Sequence, residues 1–180
     1  MDELKGLKKR VNHLKTILQN THDYRKEWKD SLKDTIINSI SEMTKAADLD
    51  VDIDVRDQIE NLETIIVSLG KSNSGISEKL ENDLSRPFIR HGGVLVYQQL
   101  FNGKILVMIN YPYIEGYGEP RPPKNIAIYR PEEVQRPYLI RHLEELVKEV
   151  AEWEDYDDDD VNTKKIGFNV DYQPKEDQPN

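Results

Sequence analysis

Val94-Leu95-Val96-Tyr97-Gln98-Gln99-Leu100-Phe101-Asn102-Gly103-Lys104-Ile105-Leu106-Val107-Met108-Ile109-Asn110-Tyr111 is the stretch that decides the fold class. Two runs rich in β-branched and aromatic residues flank an Asn-Gly pair. Asn and Gly tolerate the positive φ that a tight hairpin demands, so the pattern predicts two antiparallel strands joined by a type I′ turn.

Working outward, Asn125-Ile126-Ala127-Ile128-Tyr129 reads as a further strand, and Thr64-Ile65-Ile66-Val67-Ser68-Leu69 as an earlier one. Leu49, Val51, Ile53 and Val55 alternate with Asp48, Asp50, Asp52 and Asp54. Period two predicts a half-buried strand with one acidic face, suited to protecting a sheet edge. Residues 71–75 read as a turn. Ile76, Leu80 and Leu84 share one helical face, which predicts a short helix over 76–84, and Phe88 and Ile89 suggest a short strand. A helix opens at Pro131 or Pro137, where proline and Glu132 and Glu133 suit a first turn. Its stripe is Leu139, Leu143, Leu146, Val147, Val150 and Trp153, with Glu144, Glu145, Lys148, Glu149 and Glu152 expected in solvent.

Ahead of the sheet, Leu4, Leu7, Val11, Leu14 and Leu18 repeat at 3-4-3-4 spacing, a seam of little more than two heptads. Register is lost near 20–23. A second series then follows: Tyr24, Trp28, Leu32, Ile36, Ile40 and Met43. The segment is one long bent helix or two helices joined near 20–23. A stripe this narrow needs a cover, because an isolated helix is marginal in water. The cover is its own domain, a second copy or another protein.

The expected fold class is therefore α+β: an N-terminal long helix or helical hairpin, an antiparallel meander-like sheet with the Asn-Gly hairpin, and a C-terminal amphipathic helix packed on the sheet. The expected organisation is a helical, coiled-coil-like segment at 1–47, an α+β domain at 48–170, with a last edge strand through Ile166, Phe168 and Val170, and a disordered tail at 171–180. The layout resembles the pleckstrin-homology-like architecture, a resemblance of arrangement that implies no function.

Composition narrows the chemistry. The chain of 180 residues has no cysteine, which excludes disulfides, thiolate nucleophiles, zinc–cysteine sites and iron–sulfur clusters. It shows no run of the roughly 18 apolar residues that crosses a bilayer and no signal-peptide core near Met1, so a soluble cytoplasmic protein without membrane contact is expected. Net charge is -9, unevenly placed: +2 over residues 1–48, -2 over 49–130 and -9 over 131–180. An acidic end of this strength repels phosphate backbones, which argues against nucleic acid as a partner.

Three motifs fail on spacing. Gly70-Lys71-Ser72 lacks the earlier glycine of a phosphate loop, since that position is Ile65. The acidic run from Asp155 places Asp160 where a calcium loop needs glycine and Ile166 where it needs glutamate. His13, His22, His91 and His142 form no metal-ligand pattern, so neither a metal nor another cofactor is expected.

No catalytic set is legible, and a non-enzymatic protein-interaction or assembly module is the leading expectation. Its partner would be another protein, or itself as a homodimer, through Leu4, Leu7, Val11, Leu14 and Leu18. Tyr111, Tyr113, Tyr117 and Arg121, in the Tyr- and Pro-rich loop 111–124, supply a second interaction face. Two alternatives stand beside it. One is an acidic inhibitor or immunity-type protein steered onto a basic partner. The other is a small-ligand carrier or enzyme with a pocket between sheet and helix, lined by His91, Tyr97, Tyr129 and His142.

Overall fold

The hairpin forms at the heart of a five-stranded antiparallel sheet. The computed structural model describes residues 3–156. Its strands are β1 (Asp52–Arg56), β2 (Thr64–Ser68), β3 (Lys71–Lys79), β4 (Ser85–His91), β5 (Val94–Gln99), β6 (Ile105–Asn110), β7 (Tyr113–Ile114) and β8 (Lys124–Tyr129). The main sheet has the order β1-β2-β5-β6-β8, while β3, β4 and β7 form a smaller sheet. Its helices are α1 (Lys5–Glu27), a π turn (Trp28–Leu32) and α2 (Lys33–Ala46), continuous with one another, and α3 (Arg136–Glu154). The protein is α+β. The expected edge strand at 163–170 and tail at 171–180 lie outside the described residues.

Strands β5 and β6 pair from Val94↔Asn110 to Gln99↔Ile105. The turn between them is not type I′. Gly103 takes φ 76°, whereas Asn102 keeps a negative φ. The Gly103 N–H donates to the Leu100 carbonyl, and the Leu100 N–H to that of Lys104. This is a three-residue loop, a type I turn closed by a left-handed glycine. Asn102 serves through its side chain, whose oxygen accepts the Lys104 N–H at 3.1 Å.

Residues 71–84 form a hairpin arm instead of a turn and a helix. Strand β3 carries a bulge between Asn73 and Ser77, with Gly75 at φ 79°. Asn82 and Asp83 both adopt positive φ (65° and 59°), and the chain reverses there. Leu80 and Leu84 remain exposed, so no core rewards the helical face they would form. The acidic strand is edge strand β1, where its aspartates project beside an unpaired backbone edge.

One face of the main sheet presents Ile65, Val67, Leu95, Tyr97, Ile105, Val107 and Ile109. Trp28, Leu32, Ile36 and Ile40 from the long helix, with Leu139, Leu143 and Leu146 from α3, complete the core on that face. The sheet stays open, with two helices side by side, unlike a curved sheet closed by one. α3 comes close because Gly93 has no side chain: a Cβ there would run into Val150. Residues 28–46 thus share the core of the sheet, although the sequence groups them with the N-terminal segment.

The long helix does not break at 20–23. The register change is absorbed further on, at the π turn. Buried residues then recur every four positions: Trp28, Leu32, Ile36, Ile40 and Thr44. A spacing of four drifts around an ideal helix of 3.6 residues per turn, and the wider π turn takes up part of that drift.

Two substitution pairs test this packing by urea unfolding. A Cβ at Gly103 would sit 2.7 Å from Tyr24 Cβ, while one at Gly75 meets nothing within 4 Å. Both glycines are left-handed, so Gly75→Ala should cost about 1 kcal/mol, and Gly103→Ala at least ~2 kcal/mol because the clash adds to the strain. Trp28→Ala should cost about 3–5 kcal/mol, whereas Leu14→Ala should stay within roughly 0.5 kcal/mol.

Candidate functional site

Helix α1 is 23 residues long, about 35 Å at the usual rise, and none of its residues is buried. No proline interrupts it, and its many Lys, Leu, Arg and Gln residues favour helix. Its apolar positions still face solvent: Leu4, Leu7, Leu14 and Leu18 are 55–60% exposed, Val11 39% and Ile17 45%. The exposed stripe continues by steps of three and four through Thr21 and Tyr24 to Trp28, where burial begins. It is one face of one helix, half clad by its own sheet and half bare.

The change occurs at the tip of the β5–β6 hairpin. Arg25 Nη2 donates to the Phe101 carbonyl at 2.6 Å, and Gly103 lies against the Thr21 to Arg25 backbone. Just beyond, Glu63 ties the helix to the β1–β2 loop. Its Oε2 accepts Trp28 Nε1 at 3.1 Å and Lys33 Nζ at 2.9 Å. Burial pushes the Glu63 carboxyl up, but these two donors outweigh it and hold it below the usual glutamate value. The Lys33 ammonium is raised by the same hydrogen bond. At this end of the sheet Phe101 is 75% exposed, and Ile59 and Leu62 in the β1–β2 loop are exposed as well.

A second apolar surface lies between α2 and α3. This groove, of about 660 Å³, is lined by Met43, Ala47, Leu49, Ile140, Leu143 and Val147. The Arg136 guanidinium grips both Glu42 oxygens at 2.9 and 3.2 Å along its rim. Val147, expected in the buried stripe of α3, is half exposed here. Glu149, expected in solvent, is instead buried, where it receives Lys124 Nζ. Lys124 also donates to Glu145, which is held low by that bond, and the lysine is raised in turn.

Three of the four residues assigned to a pocket come together. His142 is 1% exposed, with Nδ1 3.0 Å from Tyr97 Oη and Nε2 3.2 Å from Tyr129 Oη. The Tyr97 hydroxyl is wholly buried, so it donates to Nδ1, and the Nε2 proton goes to Tyr129. The opposite tautomer would leave the Tyr97 proton without an acceptor. Burial, with Arg141 nearby, lowers the His142 pKa to about 4, and burial raises that of Tyr97. Both ring nitrogens are used inside the core. His91 stands apart, its Nε2 2.5 Å from Glu115 Oε1 and its ring stacked on Tyr113 at 4.4 Å.

The loop residues turn toward their own domain. Tyr113 extends β7 against β4, Ile114 bridges to Tyr117, and Arg121 lies 5.3 Å over the Tyr111 ring. All four named residues are half-buried. Ile17, Phe101, Ile59 and Leu62 are the surface residues that sequence reasoning missed. For Phe101 a signal existed: a large apolar side chain placed directly before the turn residues, where no sheet partner can cover it.

Among the described residues no group of three or more His, Asp or Glu is placed to hold a metal ion, and no helix is long and apolar enough to cross a membrane. No family model, no curated protein and no solved structure matches the chain.

The buried histidine makes stability pH-dependent. An unfolded histidine takes up a proton near pH 6.5, but folded His142 resists until about pH 4. Stability should therefore fall as pH drops through that window, by up to about 3 kcal/mol. Urea unfolding of His142→Gln should show a shallower loss between pH 7 and 5, on a lower baseline. The low-lying carboxyls of Glu63 and Glu145 add a further loss below the usual glutamate value in both proteins.

Proposed function

We propose that this chain is a non-enzymatic protein-interaction or assembly module whose α1 docks on another polypeptide. One observation carries the reading: a rod anchored at Trp28 presents five exposed apolar side chains on a helix with no buried residue, and a sixth, Leu4, just before it. Left bare, such a stripe forgoes the packing that supplies most helical stability in proteins, and it matches the groove-and-helix mode of recognition. The continuity of the bare stripe with the buried one means that α1 is held straight and aimed by the domain.

The alternatives have less behind them. His142 spends both ring nitrogens on tyrosine hydroxyls within the core, which leaves neither nitrogen to meet a substrate. Of the acidic end at 131–180, three carboxylates on α3 are engaged in the domain, Glu145 and Glu149 by Lys124 and Glu154 by Arg90.

A photo-crosslinking amino acid placed at Leu7, Leu14 or the exposed Glu119, in cells that make the protein, tests the reading. One polypeptide, captured from both seam positions and not from Glu119, is the expected result. No adduct at the seam, or the same adducts at Glu119, overturns it.

A further inference from the structure

We infer that the partner of α1 is a helix of another protein whose seam is flanked by acidic residues, and not a second copy of this chain. The inference rests on the proposed docking role and adds the chemistry of the partner. Residues 3–20 carry five basic side chains, Lys5, Lys8, Lys9, Arg10 and Lys15, against one acidic, Glu3. This is the reverse of a chain whose net charge is -9.

The positions that flank the seam decide the partner, since in a coiled coil they meet their counterparts across it. With Leu4, Val11 and Leu18 in one core row and Leu7 and Leu14 in the other, the flanks are Glu3, Arg10 and Ile17 on one side and Lys8, Lys15 and His22 on the other. In a parallel self-pair Arg10 meets Lys15 of the second copy, and the one attractive contact is Glu3 with Lys8. In the antiparallel self-pair that stacks Val11 on Leu14 and Leu7 on Leu18, Lys8 meets Lys15 twice. Sliding that pair by a heptad puts Lys8 on Lys8 and Arg10 on Arg10, or Lys15 on Lys15. Every register sets cation on cation, which selects against self-association. A partner with glutamates at its flanks would instead meet Lys8, Arg10 and Lys15 with opposite charge.

The hairpin tip extends the surface. Phe101, whose carbonyl accepts from Arg25, is 75% exposed where α1 leaves the sheet and adds an apolar side chain at that end of the stripe.

The probes are two synthetic three-heptad peptides with leucine at both core rows, one with glutamate and one with lysine at the flanks. Titrated against the full chain in 50 mM salt, the glutamate peptide should bind at least tenfold tighter. That preference should shrink toward unity in 1 M salt, where charges are screened. Leu7→Glu with Leu14→Glu should weaken binding at least thirtyfold, while far-ultraviolet and thermal signatures of the domain stay unchanged. Lys8→Glu with Lys15→Glu should reverse the preference toward the lysine peptide.

Light scattering of the full chain alone should give a monomer. A dimer that Leu14→Glu dissolves would overturn the acidic-partner inference and leave the docking role standing. Equal binding of both peptides, or no binding of either, also overturns the inference. The crosslinking experiment at Leu7 and Leu14 decides the docking role separately.

Discussion

Everything in this molecule depends on where the long helix stops being covered. Trp28 is 1% exposed, and its indole N–H is held by Glu63. From there to Thr44 the rod is part of the core, and back toward Leu4 it is bare. The sheet's end sets the limit: the β5–β6 hairpin tip reaches the helix at Thr21 to Arg25 and no further. Full burial of a leucine is worth roughly 1.5–3 kcal/mol. Helix α1 forgoes that gain at each of its leucines and is sustained by continuity with α2, whose packed turns supply the nucleus that helix propagation needs.

Much of this was legible from local chemistry. The hairpin, the edge strand of aspartates and the C-terminal helix were readable because each rests on a short periodic pattern with clear punctuation. The π turn was not, since a stripe spaced by four can be read either as drift or as a change of register, and tertiary packing chooses. The part of the arm at 71–84 departs from the turn and helix that were expected because Ile76, Leu80 and Leu84 fit a helical face, while the strand expected at Phe88 and Ile89 forms within β4. The left-handed pair Asn82 and Asp83, with β4 as backbone partner, outweighed that preference.

Burial of Glu149 was hidden for a related reason, since a sequence places a carboxylate in solvent by default. His142 was legible as a residue between sheet and helix beside Tyr97 and Tyr129, but not as one enclosed in the core. What makes them tolerable is non-local: Tyr97 and Tyr129 arrive from β5 and β8, and Lys124 from the far end of β8. A buried polar group is acceptable when its partners are in place, and those partners lie between 13 and 45 residues away. Conversely, the seam of α1 was readable as a stripe, but nothing in its spacing says whether the chain covers it.

The π turn connects these two halves. It lies at the join between clad and bare helix, and its Trp28 and Leu32 are the first two core residues of the rod. Its pitch therefore fixes the angle at which the stripe of α1 leaves the domain. Adding or removing one residue in an ideal helix turns everything beyond it by about 100°. Helix α1 keeps its stripe in line with the buried face that begins at Trp28 because the register is adjusted within the anchored part of the rod. The arm is thus an aimed surface. A partner that meets a rigid, pre-aimed helix loses less conformational freedom on binding than one that must order a flexible tail, and that economy is what a short seam of little more than two heptads requires.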